Sequence, residues 1–109
     1  MYWYPRLYVG ETVKKKKEDL IQKIESGKTP VNTYLVMLSE GRKNQLEIIA
    51  VWNLKHWCKD RTHQKVIGLA CGWREAAQLV CRITQDVYEQ TGNAEIRAFF
   101  EPQFDGRTD

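Results

Sequence analysis

Apolar positions along this chain recur with two periods, and the switches between them mark out the elements. In "ETVKKKKEDLIQKIESGK" Val13, Lys17, Leu20, Ile21 and Ile24 fall at helical spacing and Gly27 follows as a stop, so the first helix is predicted there. "VNTYLVMLS" (31–39) and "QLEIIAVWNLKHW" (45–57) are rich in β-branched and aromatic residues. The turn-forming "EGRKN" between them predicts an antiparallel pair. "KVIGLACG" (65–72) reads as a third strand. "WREAAQLVCRITQDVYEQTG" (73–92) then returns to the helical period: Trp73, Ala76, Ala77, Val80, Ile83, Thr84, Val87 and Tyr88 form one stripe, and Gly92 supplies a left-handed end. "AEIRAFFE" (94–101) reads as a last strand, and "YWYPRLYV" (2–9) as a short one that Pro5 confines to an edge.

The predicted order is (β)αβββαβ, an α+β fold. It is expected to be an antiparallel β-meander plus a βαβ-type return strand, with two helices on one face of a four- or five-stranded sheet. Residues 1–102 make a single domain in this reading, and 103–109 a polar tail with the composition of a disordered end. In 31–39, Leu35 and Met37 share one side, yet Tyr34, Val36 and Leu38 make the other side apolar too. In 45–57, Leu46, Ile48, Ala50 and Trp52 alternate with Ile49 and Val51. Strands apolar on both sides belong to a sheet covered on both sides. With both helices on one face, the second needs the N-terminal segment or a second copy, so a homodimer is expected.

At 109 residues the chain has the length of one domain and buries a core without metals or disulfides. No apolar run is long enough to span a bilayer, and no basic segment leads into an apolar one at the start, so neither a membrane protein nor a signal peptide is expected. Three cysteines without a CxxC spacing point to a reducing, cytoplasmic setting. The net charge of +3, much of it in "KKKK" (14–17), does not by itself call for an anionic partner.

"VIGLACGWREAAQLVCRITQDVYEQTGNAEIRAFF", preceded by "LEIIAVWNL", resembles a group of short uncharacterised proteins from anaerobic Gram-positive bacteria. Their common pattern is a strand, G-x-A-x-G, an "EA–LV" helix, "VY–TG" and a strand. The resemblance covers residues 31 to 100 or so, implies a bacterial intracellular origin, and carries no activity with it.

Candidate chemistry gathers in "NLKHWCKDRTHQ" (53–64). His56, Cys58 and His63 form a partial set of soft metal ligands, but a fourth would have to be Cys71 or Cys81, from another strand or helix. A strand end and turn is the simpler reading, and neither metal nor cofactor is expected. Gly68 and Gly72 before a helix suggest a phosphate cradle, yet there is no GxGxxG fingerprint and no Walker lysine; a close-packing point and an N-cap explain them better. A Cys58 or Cys71 nucleophile with His56 or His63 as base would need a hydrogen bond that sequence cannot show, and no catalytic residue is assigned.

Three readings of function follow. The preferred one is a small non-catalytic interaction module that self-associates. The first alternative is a nucleic-acid-associated protein using Lys14, Lys15, Lys16 and Lys17, with Tyr2, Trp3, Tyr4 and Tyr8 as stacking residues. The second is a small-molecule binder or minor enzyme at the 52–63 end of the sheet, using Trp52, His56, Trp57, Arg61 and His63.

Overall fold

The two most continuously apolar strands lie inside the sheet, and the two mixed ones at its edges. In the computed structural model, which describes residues 1–39, 45–54 and 64–105, β1 (Tyr2–Val9), β2 (Thr33–Leu38), β3 (Leu46–Ala50) and β4 (Lys65–Cys71) form a four-stranded mixed sheet. Its order is β1-β4-β2-β3. β2 is antiparallel to both β3 and β4, while β1 runs parallel to β4. Interior β2 and β4 are buried along nearly their whole length, as expected of strands covered on two sides. Edge strand β1 tolerates Pro5 where the register with β4 is interrupted.

Between β1 and β2 a 3-10 segment, Glu11–Lys16, leads into α1 (Lys17–Glu25). After β3 a 3-10 turn (Val51–Asn53) follows directly. α2 (Trp73–Thr91) succeeds β4 and ends at Gly92, whose φ of 79° is the left-handed residue expected there. α3 (Ile96–Asp105) closes the described chain. Among the described residues no helix is long and apolar enough to cross a membrane.

Side-chain alternation shows how the sheet is covered. Val36 pairs with Gly68 and Ile48, and a Cβ added to Gly68 would lie 2.9 Å from Val36 Cβ and 3.3 Å from Leu79 Cδ1. This is the face against α2, and Gly68 is glycine because strand and helix approach so closely there. Leu35, Met37 and Leu69 point the other way and are also fully buried. They share one core with Val13, Leu20 and Ile24 of the first helical segment, and Trp3 Nε1, from the strand next to β4, donates to Glu25 on α1. The chain buries both faces of its own sheet.

The structure corrects several expectations. The α+β class stands, with three α-helices and four strands among the described residues, but the meander does not: β3 is an edge strand and β2 lies between it and β4. Residues 94–101 form no return strand. Asn93 Oδ1 accepts the Glu95 N–H and starts α3, where Ile96, Phe100 and Phe104 are buried at i, i+4 and i+8. Phe100 packs edge-on against Tyr4 at 5.1 Å and Tyr8 at 6.4 Å between ring centroids. The parallel partner of β4 is therefore the N-terminal strand. α3 also runs into the expected polar tail: Phe104 is buried and the Tyr4 hydroxyl donates to Gln103 Oε1 at 2.8 Å. Of the predicted strand 45–57, Leu46–Ala50 is strand and Val51–Asn53 a 3-10 turn, while 55–57 lie outside the described residues. Two helices on one face, with the N-terminal segment, a second copy or both on the other, are expected from the sequence; both faces of β2 and β4 are buried within one chain.

Candidate functional site

β1, β3 and β4 run in one direction and β2 in the other, so one end of the sheet collects the ends of β1, β3 and β4 and the start of β2. Backbone there is held by a dense set of bonds. The Gly10 N–H donates to the Leu69 carbonyl at 2.9 Å, and the Gly72 N–H to the Asn32 carbonyl at 2.8 Å. Asn32 has a φ of 55° and Gly72 one of 83°, both in the left-handed range. Asparagine tolerates that conformation better than other non-glycine residues, and its side-chain amide also reaches Cys71 Sγ at 3.5 Å.

Glu75 ties the same end together. At the third position of α2 it reaches back to accept the Cys71 N–H at 2.9 Å, in the manner of half a capping box. It also accepts the Thr12 hydroxyl at 2.8 and 3.0 Å, which pins the start of the 3-10 segment to the start of α2. A side chain on Gly10 would overlap this carboxylate. The carboxylate is thus committed to structure, with its lone pairs on neighbouring donors.

Around this framework stand large apolar side chains that the core does not use. Val31 is 92% exposed, Trp52 66% and Trp73 61%, values far above those of partly buried apolar residues such as Tyr8 and Ile48, which pack on the core. Val31 and Trp73 are each one residue from the Asn32–Gly72 hydrogen bond. Trp52 lies two residues past Ala50, the partner of Tyr34.

Of the residues expected at this end, Trp52 is 66% exposed in the 3-10 turn after β3. His56, Trp57, Cys58, Arg61 and His63 lie outside the described residues. Cys71, at the end of β4, and Cys81, exposed on α2, are free thiols. Among the described residues no group of three His, Cys, Asp or Glu side chains is placed to hold a metal ion.

The lysine run does not act as a unit. Lys14 pairs with Glu11 at 2.9 Å, and this cation's hydrogen bond and charge hold the Glu11 carboxyl below its ordinary value. Lys17 lies 3.8 Å from Glu18, while Lys15 and Lys16 are exposed. The aromatics read as stacking residues face inward. Tyr4 is buried, Trp3 bonds Glu25, and the Tyr8 hydroxyl donates to Asp86 Oδ2 at 2.7 Å under Arg82, 5.8 Å from its ring centroid. Burial, and then the bond to Asp86, push the Tyr8 phenol well above its ordinary range. Only Tyr2 of the four is exposed.

The fold and this end of the sheet define a small α+β domain with a rigid, apolar-tipped edge. Comparison with protein-family models, with curated proteins and with solved structures finds no match to the chain.

Sequence reasoning missed Asn32 and Glu75. A lone asparagine between a proline and a strand signals a positive φ, and a glutamate three residues into a helix after glycine signals a cap. Their partners, from distant parts of the chain, carry no local signal.

Proposed function

We propose that this chain is a non-catalytic interaction module that self-associates through the sheet end carrying Val31, Trp52 and Trp73. One observation carries the reading: three large apolar side chains are exposed at one end of the sheet, two of them beside the Asn32–Gly72 hydrogen bond. Tryptophan is enriched among the residues that dominate interface energies. A two-fold contact lets one such patch serve both copies, which is the commonest arrangement among oligomers. Both sheet faces are filled from within, so association has to use an end or an edge. The setting that fits is a reducing bacterial cytoplasm, in keeping with the free Cys71 and Cys81 thiols.

The small-molecule alternative shares this end of the sheet, and the thiol of Cys71 beside Asn32 is its main support. The nucleic-acid alternative loses ground because Trp3, Tyr4 and Tyr8 are engaged inside the fold. Light scattering across micromolar concentrations tests the preferred reading. The expected result is a dimer that Trp52→Ser together with Trp73→Ser converts to a folded monomer. A wild-type monomer at every concentration, or a dimer indifferent to both substitutions, would refute it.

A further inference from the structure

A separate feature lies beside α1. The helix ends in a Schellman motif: Gly27, at φ 89°, donates to the Ile24 carbonyl at 3.0 Å, and the Lys28 N–H donates to the Lys23 carbonyl at 2.9 Å. That closure folds residue 28 back over residue 23 and sets two lysines side by side. Lys16, the last residue of the 3-10 segment and the one that precedes α1, borders the same cleft as Leu20 and Lys23. The chain then passes Thr29 and Pro30 into β2. Together these residues border an open cleft of about 550 Å3, within the size range of small-ligand sites.

The cleft's charge is unbalanced. Three ammonium groups, those of Lys16, Lys23 and Lys28, line it against one carboxylate, Asp19. Asp19 is taken up by Lys23 at 3.1 Å. Lys16 and Lys28 have no ion-pair partner among the described residues. The rest of the lining is Pro30, the exposed Val31 and the edge of the buried Leu20, with Thr29 and Thr33 beside them. A solvated helix surface accounts for lysines that spread around a helix. Here three of them border one open cleft whose lining is partly apolar.

We propose that this cleft binds a small organic carboxylate with a short apolar body. Its carboxylate would bridge Lys16 and Lys28, and its hydrocarbon part would lie on Leu20 and Pro30. The cleft shares Val31 with the proposed association surface but uses neither tryptophan, so the Trp52→Ser, Trp73→Ser protein should keep it.

The test is a titration of the 15N-labelled full chain with hexanoate at fixed ionic strength, with inorganic phosphate as the comparison anion. Saturable shifts confined to residues 16–33 are expected. Lys16→Gln and Lys28→Gln should each weaken binding about threefold, and both together about tenfold, the scale of exposed ion pairs. Both sites are exposed, so the variants fold, and unchanged spectra elsewhere in the molecule check this. Absence of saturable shifts in this segment would overturn the proposal. So would hexanoate affinity unchanged in the double variant, or phosphate binding as tightly as hexanoate, which would mean that charge alone is read.

Discussion

Gly10→Ala changes one hydrogen to a methyl group, yet the structure places that methyl on the Glu75 carboxyl group and 2.6 Å from its Cγ. Gly10 has ordinary extended dihedrals, φ −63° and ψ 151°, so alanine suits the backbone. By itself the exchange would stabilise the fold by about 0.4–1 kcal/mol, through a less flexible unfolded chain. The carboxylate must swing away, however, and give up the Cys71 N–H and the Thr12 hydroxyl. Bonds to a charged acceptor are worth about 1.5–3 kcal/mol each. Glu75 is half-exposed and water replaces part of what is lost, so about 2 kcal/mol for the pair is a fair figure. Gly10→Ala should therefore destabilise by about 1–2 kcal/mol, a fall of roughly 4–8 °C in melting temperature.

A double-mutant cycle separates this cause from any other. Once Glu75→Ala has removed the carboxylate, Gly10→Ala should reverse sign and stabilise by about 0.4–1 kcal/mol. Urea denaturation of the four proteins measures it, read from the midpoint at an unchanged slope. Equal cost of Gly10→Ala in both backgrounds would show that something other than Glu75 resists the methyl group, and the account of this junction would be wrong.

Two further outcomes follow. Gly68→Ala should destabilise by about 1–3 kcal/mol, because its Cβ would press on Val36 and Leu79 in a filled core; denaturation measures this, and a neutral result would mean that α2 sits farther from the sheet. The Tyr8 phenol, raised by burial and by Asp86, should stay protonated in an ultraviolet titration after the exposed tyrosines ionise, and Asp86→Asn should bring its ionisation to lower pH. Because the folded value lies above the unfolded one, its contribution to stability is fully present below the ordinary value of 10.0 and is lost as the pH climbs from there through the folded value.

Helix 73–91 was legible because its period is long and glycines mark both ends. Even so, the stripe is rotated from its expected place: Leu79 enters the core with Ala76, Ile83 and Val87, while Trp73 and Tyr88 face solvent. Ranking residues by apolar size favours the two aromatics, whereas the close approach at Gly68 selects an aliphatic side chain there. Residues 94–101 misled for a different reason. Ile96, Phe99 and Phe100 suit a strand by composition, and the spacing of Ile96, Phe100 and Phe104 that marks a helix extends beyond Pro102, where a strand was expected to stop. The place beside β4 is taken instead by β1, joined to it through two other strands and a helix. Pairing of that kind leaves no trace in a local window. The site divides in the same way: Trp52 was expected on an apolar side of strand 45–57, which ends at Ala50 and leaves it exposed, while Glu75 gains its role only from donors that folding brings to it.

Rigidity at the sheet end bears on what its apolar tips can do. Val31 and Trp73 flank the two residues whose backbones are most restricted, Asn32 and Gly72, and these two are joined by a hydrogen bond. Glu75 fixes the first turn of α2 directly behind Trp73. A partner docking here would order side chains only, at about 0.5–1.5 kcal/mol each, because the loop backbone is already set. A flexible loop presenting the same residues would lose backbone entropy as well, about 1–2 kcal/mol per residue fixed. Weakening the Glu75 junction should therefore lower association without touching any contact residue. The same Glu75→Ala protein that completes the stability cycle should dimerise less well than wild type under conditions where both are fully folded. Equal dimerisation of the two would separate the junction from the interface and leave it a purely structural device.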